Sequence, residues 1–83
     1  MDDLIRVGIV DSDSEIRAGR KIILQSSTRV SVILELASSS EILEKFADYL
    51  LDVLIVDQRL KGLSGIQVVE RLTAIKTQNQ IDT

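Results

Sequence analysis

The stretch Val53-Leu54-Ile55-Val56-Asp57-Gln58-Arg59-Leu60-Lys61-Gly62-Leu63-Ser64-Gly65 decides how this chain folds. Four consecutive apolar residues, three of them β-branched, run straight into an acid and then into a polar, glycine-containing loop. A continuous rather than alternating apolar run suits a strand buried on both faces of a parallel sheet. Ser64-Gly65-Ile66-Gln67 then matches a capping box, in which a hydroxyl and a Glu or Gln three residues on trade hydrogen bonds with free backbone N–H groups at a helix start. The stretch therefore predicts one strand, one loop and one helix, with Asp57 at the strand's carboxyl end.

The same unit occurs twice more upstream. Apolar runs at Ile5 to Val10 and Ser31 to Ala37 precede the boxes Ser12-Asp13-Ser14-Glu15 and Ser38-Ser39-Ser40-Glu41, and the first serines stand at 12, 38 and 64. That period fits a strand of about five residues and a helix of about eleven, each roughly 17 Å long, so that each helix can return across the sheet. The chain predicts a βαβαβα rhythm in one domain spanning 1–83. Val7, Ile9 and Val10 are nearly continuous, whereas Ser31 and Glu35 interrupt the middle run as in an edge strand. Helix stripes are expected at Ile16, Gly19 and Ile23, with Gly19 allowing close approach to the sheet. The second helix offers Ile42, Leu43, Phe46 and Leu50, and the third Ile66, Val69, Leu72 and Ile75. Thr77 to Thr83, polar except for Ile81, reads as a connection to a further strand. Parallel strands need right-handed crossovers, and helices on both faces make 2-1-3 the economical order. Asp11 and Asp57 then end adjacent strands at one crevice, where open α/β sheets bind their ligands.

Composition narrows the chemistry. The 83 residues include no His, Cys, Pro or Trp, which removes disulfides, thiolate or imidazole zinc sites and histidine-based nucleophile systems. Ten basic and 13 acidic residues are scattered along the chain, net −3, and the only aromatics are Phe46 and Tyr49. That pattern argues against direct nucleic-acid binding by this segment. The longest uncharged stretch, Gly62 to Val69, is far short of the roughly 18 residues of a membrane span, and Met1-Asp2-Asp3 is acidic where a signal peptide is basic. The expectation is a soluble, cytoplasmic protein.

Oxygen chemistry remains, and it centres on Asp11, Asp13 and Asp57. Carboxylates gathered at one crevice repel unless a cation or proton compensates, and Mg²⁺ suits one or two of them with waters and a phosphoryl oxygen. A carboxylate is also a nucleophile toward phosphorus. Ser12 or Asp13 could instead simply cap the first helix. Asp57 is not an N-cap, because its helix begins about seven residues later.

The segments Ile9-Val10-Asp11, Val53 to Leu60 and Gly62-Leu63-Ser64-Gly65 resemble the receiver domain of bacterial two-component response regulators, over essentially the whole chain. The resemblance implies a flavodoxin-like, doubly wound parallel sheet. It implies that Asp57 is the phosphoacceptor, taking its phosphoryl group from a histidine kinase or phosphotransfer protein. Asp11 would belong to the acidic pair that holds Mg²⁺, Arg59 would lend the metal its backbone carbonyl, and Gly65 would open the third helix against the sheet. Such a domain is a regulated acceptor rather than an enzyme. The loop wording and Arg17-Ala18-Gly19 look most like receivers that precede a helix-turn-helix DNA-binding domain, which implies a transcriptional output. Arg17, Arg20 and Lys21 read as a solvated face, with the alternative that they meet an acidic surface of a kinase.

Three departures qualify the resemblance. The second acid of the metal pair is Ser12 here, which leaves Asp13 or a water to replace it. Lys61 stands where the family commonly has Pro. The family fold has five βα units and this chain has three, so it is expected to be a partial receiver or to pair with another chain through the Val53 to Val56 edge. A clean monomeric mass with cooperative melting would contradict that expectation. An unphosphorylated pseudo-receiver serving as a protein interaction module is the alternative reading. A nucleotide-binding domain is disfavoured, because Asp11-Ser12-Asp13-Ser14 offers no glycine-rich phosphate loop.

Overall fold

The computed structural model describes residues 4–81, with side chains as far as Ile75. Its strands are β1 (Ile5–Val10), β2 (Val30–Leu36) and β3 (Val53–Val56), and its helices α1 (Ser14–Gln25), α2 (Ser39–Lys45) and α3 (Gly65–Ile81), with a 3₁₀ turn at Phe46–Asp48. The strands form one parallel sheet in the order β2-β1-β3. Each apolar run thus becomes a strand, and the interrupted run takes an edge; β3 takes the other edge, and none of its residues is buried, unlike the doubly buried strand its continuous run predicts, because no described strand covers its outer side. On the β3 side, Val7 to Val10 align with Val53 to Val56. On the β2 side the register skips a residue, Val7 facing Val32 and Gly8 facing Leu34, so Ile33 is a bulge.

The β1–α1–β2 and β2–α2–β3 crossovers run in opposite directions across the sheet, and since such crossovers are right-handed, α1 and α2 fall on opposite faces. α1 packs on β1 and β2, and α2 packs on α3. The core fills the α2/α3 side with Val10, Leu34, Leu36, Ile42, Leu60, Val68 and Leu72. The central strand is buried from Val7 through Val10. Leu60 belongs to no element, yet its burial in this core anchors the loop after β3.

The helix stripes needed correction. No residue of α1 is buried: Ile16 is 48% exposed, Ile23 is 73% exposed, and a Cβ on Gly19 would meet nothing within 4 Å. The described fold sets no second helix against α1 on its face, so its apolar side is only partly covered. In α3, apolar residues at 66, 68, 69, 72 and 75 write two overlapping stripes. The buried one runs through Val68 and Leu72, with Ile75 packed against the core, while Ile66 and Val69 are exposed. Leu50 is also exposed, because α2 ends at Lys45 and the chain has left the helix by then. The expected connection at Thr77 to Thr83 is helical through Ile81. No Pro occurs in the chain and no Gly follows Gly65, so nothing stops the helix there. Asp82 and Thr83 lie outside the described residues.

Candidate functional site at the sheet switch point

β1 and β3 end side by side, and their terminal acids continue the sheet's hydrogen bonding. The Asp57 amide donates to the Val10 carbonyl at 2.9 Å, and the Asp11 amide donates to the Leu36 carbonyl at 3.0 Å. Both expected acids therefore stand at the carboxyl edge of adjacent strands. Asp11 is almost fully buried and Asp57 half-buried. Among the described residues, no hydrogen bond or ion pair engages the Asp57 carboxylate.

Asp11 is held from three sides. Its Oδ1 accepts from the Asp13 amide at 2.9 Å, and its Oδ2 faces Arg20 Nη1 at 3.1 Å. That pair is an electrostatic contact rather than a directed bond, since Oδ2 has no hydrogen-bond donor in range and angle. Arg17 Nη1 donates to the Asp11 carbonyl. Lys21 Nζ donates to Glu35 Oε2 at 2.9 Å. The basic trio expected as a solvated face is thus spent on contacts within the domain. Residues six and nine apart in sequence lie outside the one-turn spacings from which helix pairings are read, so the Asp11 contacts left no sequence signal.

Asp13 is the N-cap of α1, its Oδ1 accepting from the Glu15 and Ile16 amides at 2.9 and 3.1 Å. The helix begins one residue later than a cap at Ser12 would place it. Asp and Ser are equally good caps, and the acid also favours the positive end of the helix. Ser38 and Ser64 cap as expected. Ser38 Oγ accepts from the Glu41 amide. Ser64 and Gln67 exchange both bonds of the box, at 2.9 and 3.3 Å.

The loop carrying Arg59 and Lys61, both exposed, is fixed by Gln58 and Ser39, to which the sequence assigns no such role, together with the expected Gly65. The Gln58 carbonyl accepts from the Gly65 amide at 3.2 Å, and Gln58 Oε1 accepts from the Ile66 amide at 3.0 Å. Ser39, buried at the start of α2, donates to the Lys61 carbonyl at 3.1 Å and accepts from the Leu63 amide at 3.2 Å. Gly62 turns between them at φ +86°, a backbone region that glycine adopts without strain. Gly65 is required by closeness, because a Cβ there would lie 2.7 Å from the Asp57 carbonyl oxygen.

No group of three or more acidic side chains suited to a metal occurs among the described residues, so the Asp11, Asp13, Asp57 set does not close as a triad. Two carboxylates remain at the ends of adjacent strands, with Arg59 two residues after Asp57 and a buried Asp11 oxygen lacking a hydrogen bond. That donor set fits Mg²⁺, which takes one or two carboxylates and keeps several waters.

A doubly wound parallel sheet with an acid at the end of each of two adjacent strands defines a flavodoxin-like α/β domain whose candidate site is the switch point. The sequence pattern of the response regulator receiver domain matches residues 7–81, and the chain belongs to that family. It is similar in structure to the response regulator domain of Thermotoga maritima CheB, with 27% identity and a TM-score of 0.81 over 86% of this chain and 53% of that one. It is also similar to the isolated REC domain of RcsB from Salmonella enterica serovar Typhimurium, solved in the presence of the phosphomimetic BeF3⁻. There the identity is 21% and the TM-score 0.79, over 87% of this chain and 54% of that one, a likeness of fold. The chain spans about half the length of each. Among curated proteins, none matches it. No helix among the described residues is long and apolar enough to cross a membrane.

Proposed function

We propose that this receiver domain is a phosphoacceptor, in which an Asp57 carboxylate oxygen attacks the phosphorus of a phosphohistidine on a histidine kinase or phosphotransfer protein. The new O–P bond gives an acyl phosphate, the N–P bond breaks, and the imidazole leaves with the electron pair and is reprotonated by solvent. Mg²⁺ bound by Asp11, Asp57 and the Arg59 carbonyl would offset the negative charge gathered there. The observation that carries this reading is the place of Asp57, at the switch point with its carboxylate unengaged and its loop fixed by Gln58, Ser39 and Gly65. The phosphorylated state would be passed to an output, which the loop wording suggests is transcription, in the cytoplasm. Self-association through the outer edge of β3 is supported by the half-exposed Val53 there.

The test is binding of beryllofluoride with Mg²⁺ to the full chain, followed by the Asp57 amide resonance. Asp57→Asn is expected to abolish binding, and binding that survives the substitution refutes the site. A second reading, an unphosphorylated interaction module, is favoured by Ser12, by the use of Asp13 as a cap and by the Arg20 contact to Asp11. An intact domain that shows no response to Mg²⁺ would establish it over the first.

A further inference from the structure

The buried Asp11 carboxylate already has a cation beside it, and that cation is supplied by the protein. Asp11 Oδ2 has no hydrogen bond, its side chain is 2% exposed, and Arg20 Nη1 lies 3.1 Å away. A buried carboxylate left alone is costly, so a cation beside Oδ2 stabilises its charged form. Arg20 projects from the middle of α1 with 40% of its side chain in solvent, so its guanidinium can withdraw along its own flexible stem. Arg17 does not share this role, since it is bonded to the Asp11 carbonyl.

We propose that Arg20 is a resident counter-cation that neutralises Asp11 in the metal-free domain and must leave Oδ2 before Mg²⁺ can bind. The inference rests on reading Asp11 and Asp57 as the metal site. A guanidinium and a divalent ion cannot share one carboxylate oxygen without strong like-charge repulsion. The neighbouring residues deepen the effect. Ser12 brings no charge, and Asp13 Oδ1 is committed to the α1 cap. Arg20 therefore offsets one of the two carboxylate charges that Asp11 and Asp57 bring to the metal-free site. Mg²⁺ affinity in this receiver is thus lowered by its own first helix, and the release of Arg20 is coupled to metal binding.

The experiment is a Mg²⁺ titration of the full chain and of Arg20→Gln, followed by ¹⁵N-resolved resonances of the Asp57 amide and the Arg20 Nε–H group. The variant is expected to bind Mg²⁺ about three- to tenfold more tightly, as removal of one partly exposed ion pair allows. Its melting temperature should start lower and rise further on adding Mg²⁺. In the unmodified chain, the Arg20 Nε–H signal should shift with the same midpoint as the Asp57 amide. Equal or weaker binding by the variant overturns the proposal, as does an Arg20 signal that stays still while Asp57 titrates. Should Arg20→Gln fail to fold, the Arg20 signal of the unmodified chain decides alone. Silence of Asp57 in both proteins overturns the metal reading together with this one.

Discussion

Two glycines give substitutions of opposite sign. At Gly65 a Cβ would sit 2.7 Å from the Asp57 carbonyl oxygen and 3.0 Å from Gln58 Cα. Ordinary carbon–oxygen contacts begin near 3.3 Å, so the first turn of α3 must move by about 0.6 Å. Both obstacles are main-chain atoms, and no side-chain rotation relieves them. The shift also loosens the bonds from the Gly65 and Ile66 amides to Gln58. Overpacking of this kind costs about 1–3 kcal/mol, and the better helix propensity of Ala returns less than about 1 kcal/mol at a helix start. Gly65→Ala is therefore expected to destabilise by about 1–2 kcal/mol. At Gly19, within α1, an added Cβ meets nothing within 4 Å. Gly19→Ala should stabilise by about 0.5–1 kcal/mol, through helix propensity and a less free unfolded chain. Urea unfolding of the full chain followed by helical circular dichroism measures both. The two variants should differ by about 1.5–3 kcal/mol, on the order of 10 °C in melting temperature for a domain of this size. A Gly65→Ala variant as stable as the parent, or a Gly19→Ala variant weakened by about 1 kcal/mol, refutes this account of how α3 seats on the loop after β3.

Two further predictions probe packing and charge. Val68 is fully buried and Val69 half exposed, so Val68→Ala should cost about 2 kcal/mol while Val69→Ala stays within about 0.5, and equal effects in urea titrations would refute the corrected α3 stripe. The Asp52 carboxylate accepts from the side chain and then the backbone amide of Arg6, which holds its pKa below the ordinary 3.8. Its stabilising contribution is therefore present above that value and lost as pH falls through the lowered one. The stability gap between the parent and Asp52→Asn should accordingly be open at pH 6 and close in strong acid. A gap that widens on acidification would contradict the assignment.

The strands and their order were legible because apolar runs without alternation admit few alternatives in so short a chain. Ser38 and Ser64 were legible as caps because a box is a local pattern. Asp13 displaced Ser12 because two good capping residues stood side by side, and sequence does not rank them. The α3 stripe was misread for a related reason: Val68 and Val69 are adjacent, each belongs to a complete helical stripe, and only packing against α2 and the sheet selects Val68. At the site, Asp11 and Asp57 could be placed from the strand ends alone. The Arg20 contact, the two bonds of Ser39 and the amide cradle of Gln58 join residues across elements, and no spacing rule reaches across a fold.

The bulge at Ile33 changes what the edge strand can do. Paired strands send facing residues to the same side of a sheet, and consecutive residues to opposite sides. Val32 faces Val7 and Leu34 faces Gly8, so two even-numbered residues of β2 serve opposite sides. Below the bulge β2 therefore gives its apolar side chains to the α1 layer, and above it to the α2/α3 core. One inserted residue lets a single strand furnish two interiors. A bulged strand also makes a poor template for a further strand, so the outer edge of β3, beside the loop at 57–65, is the better template of the two.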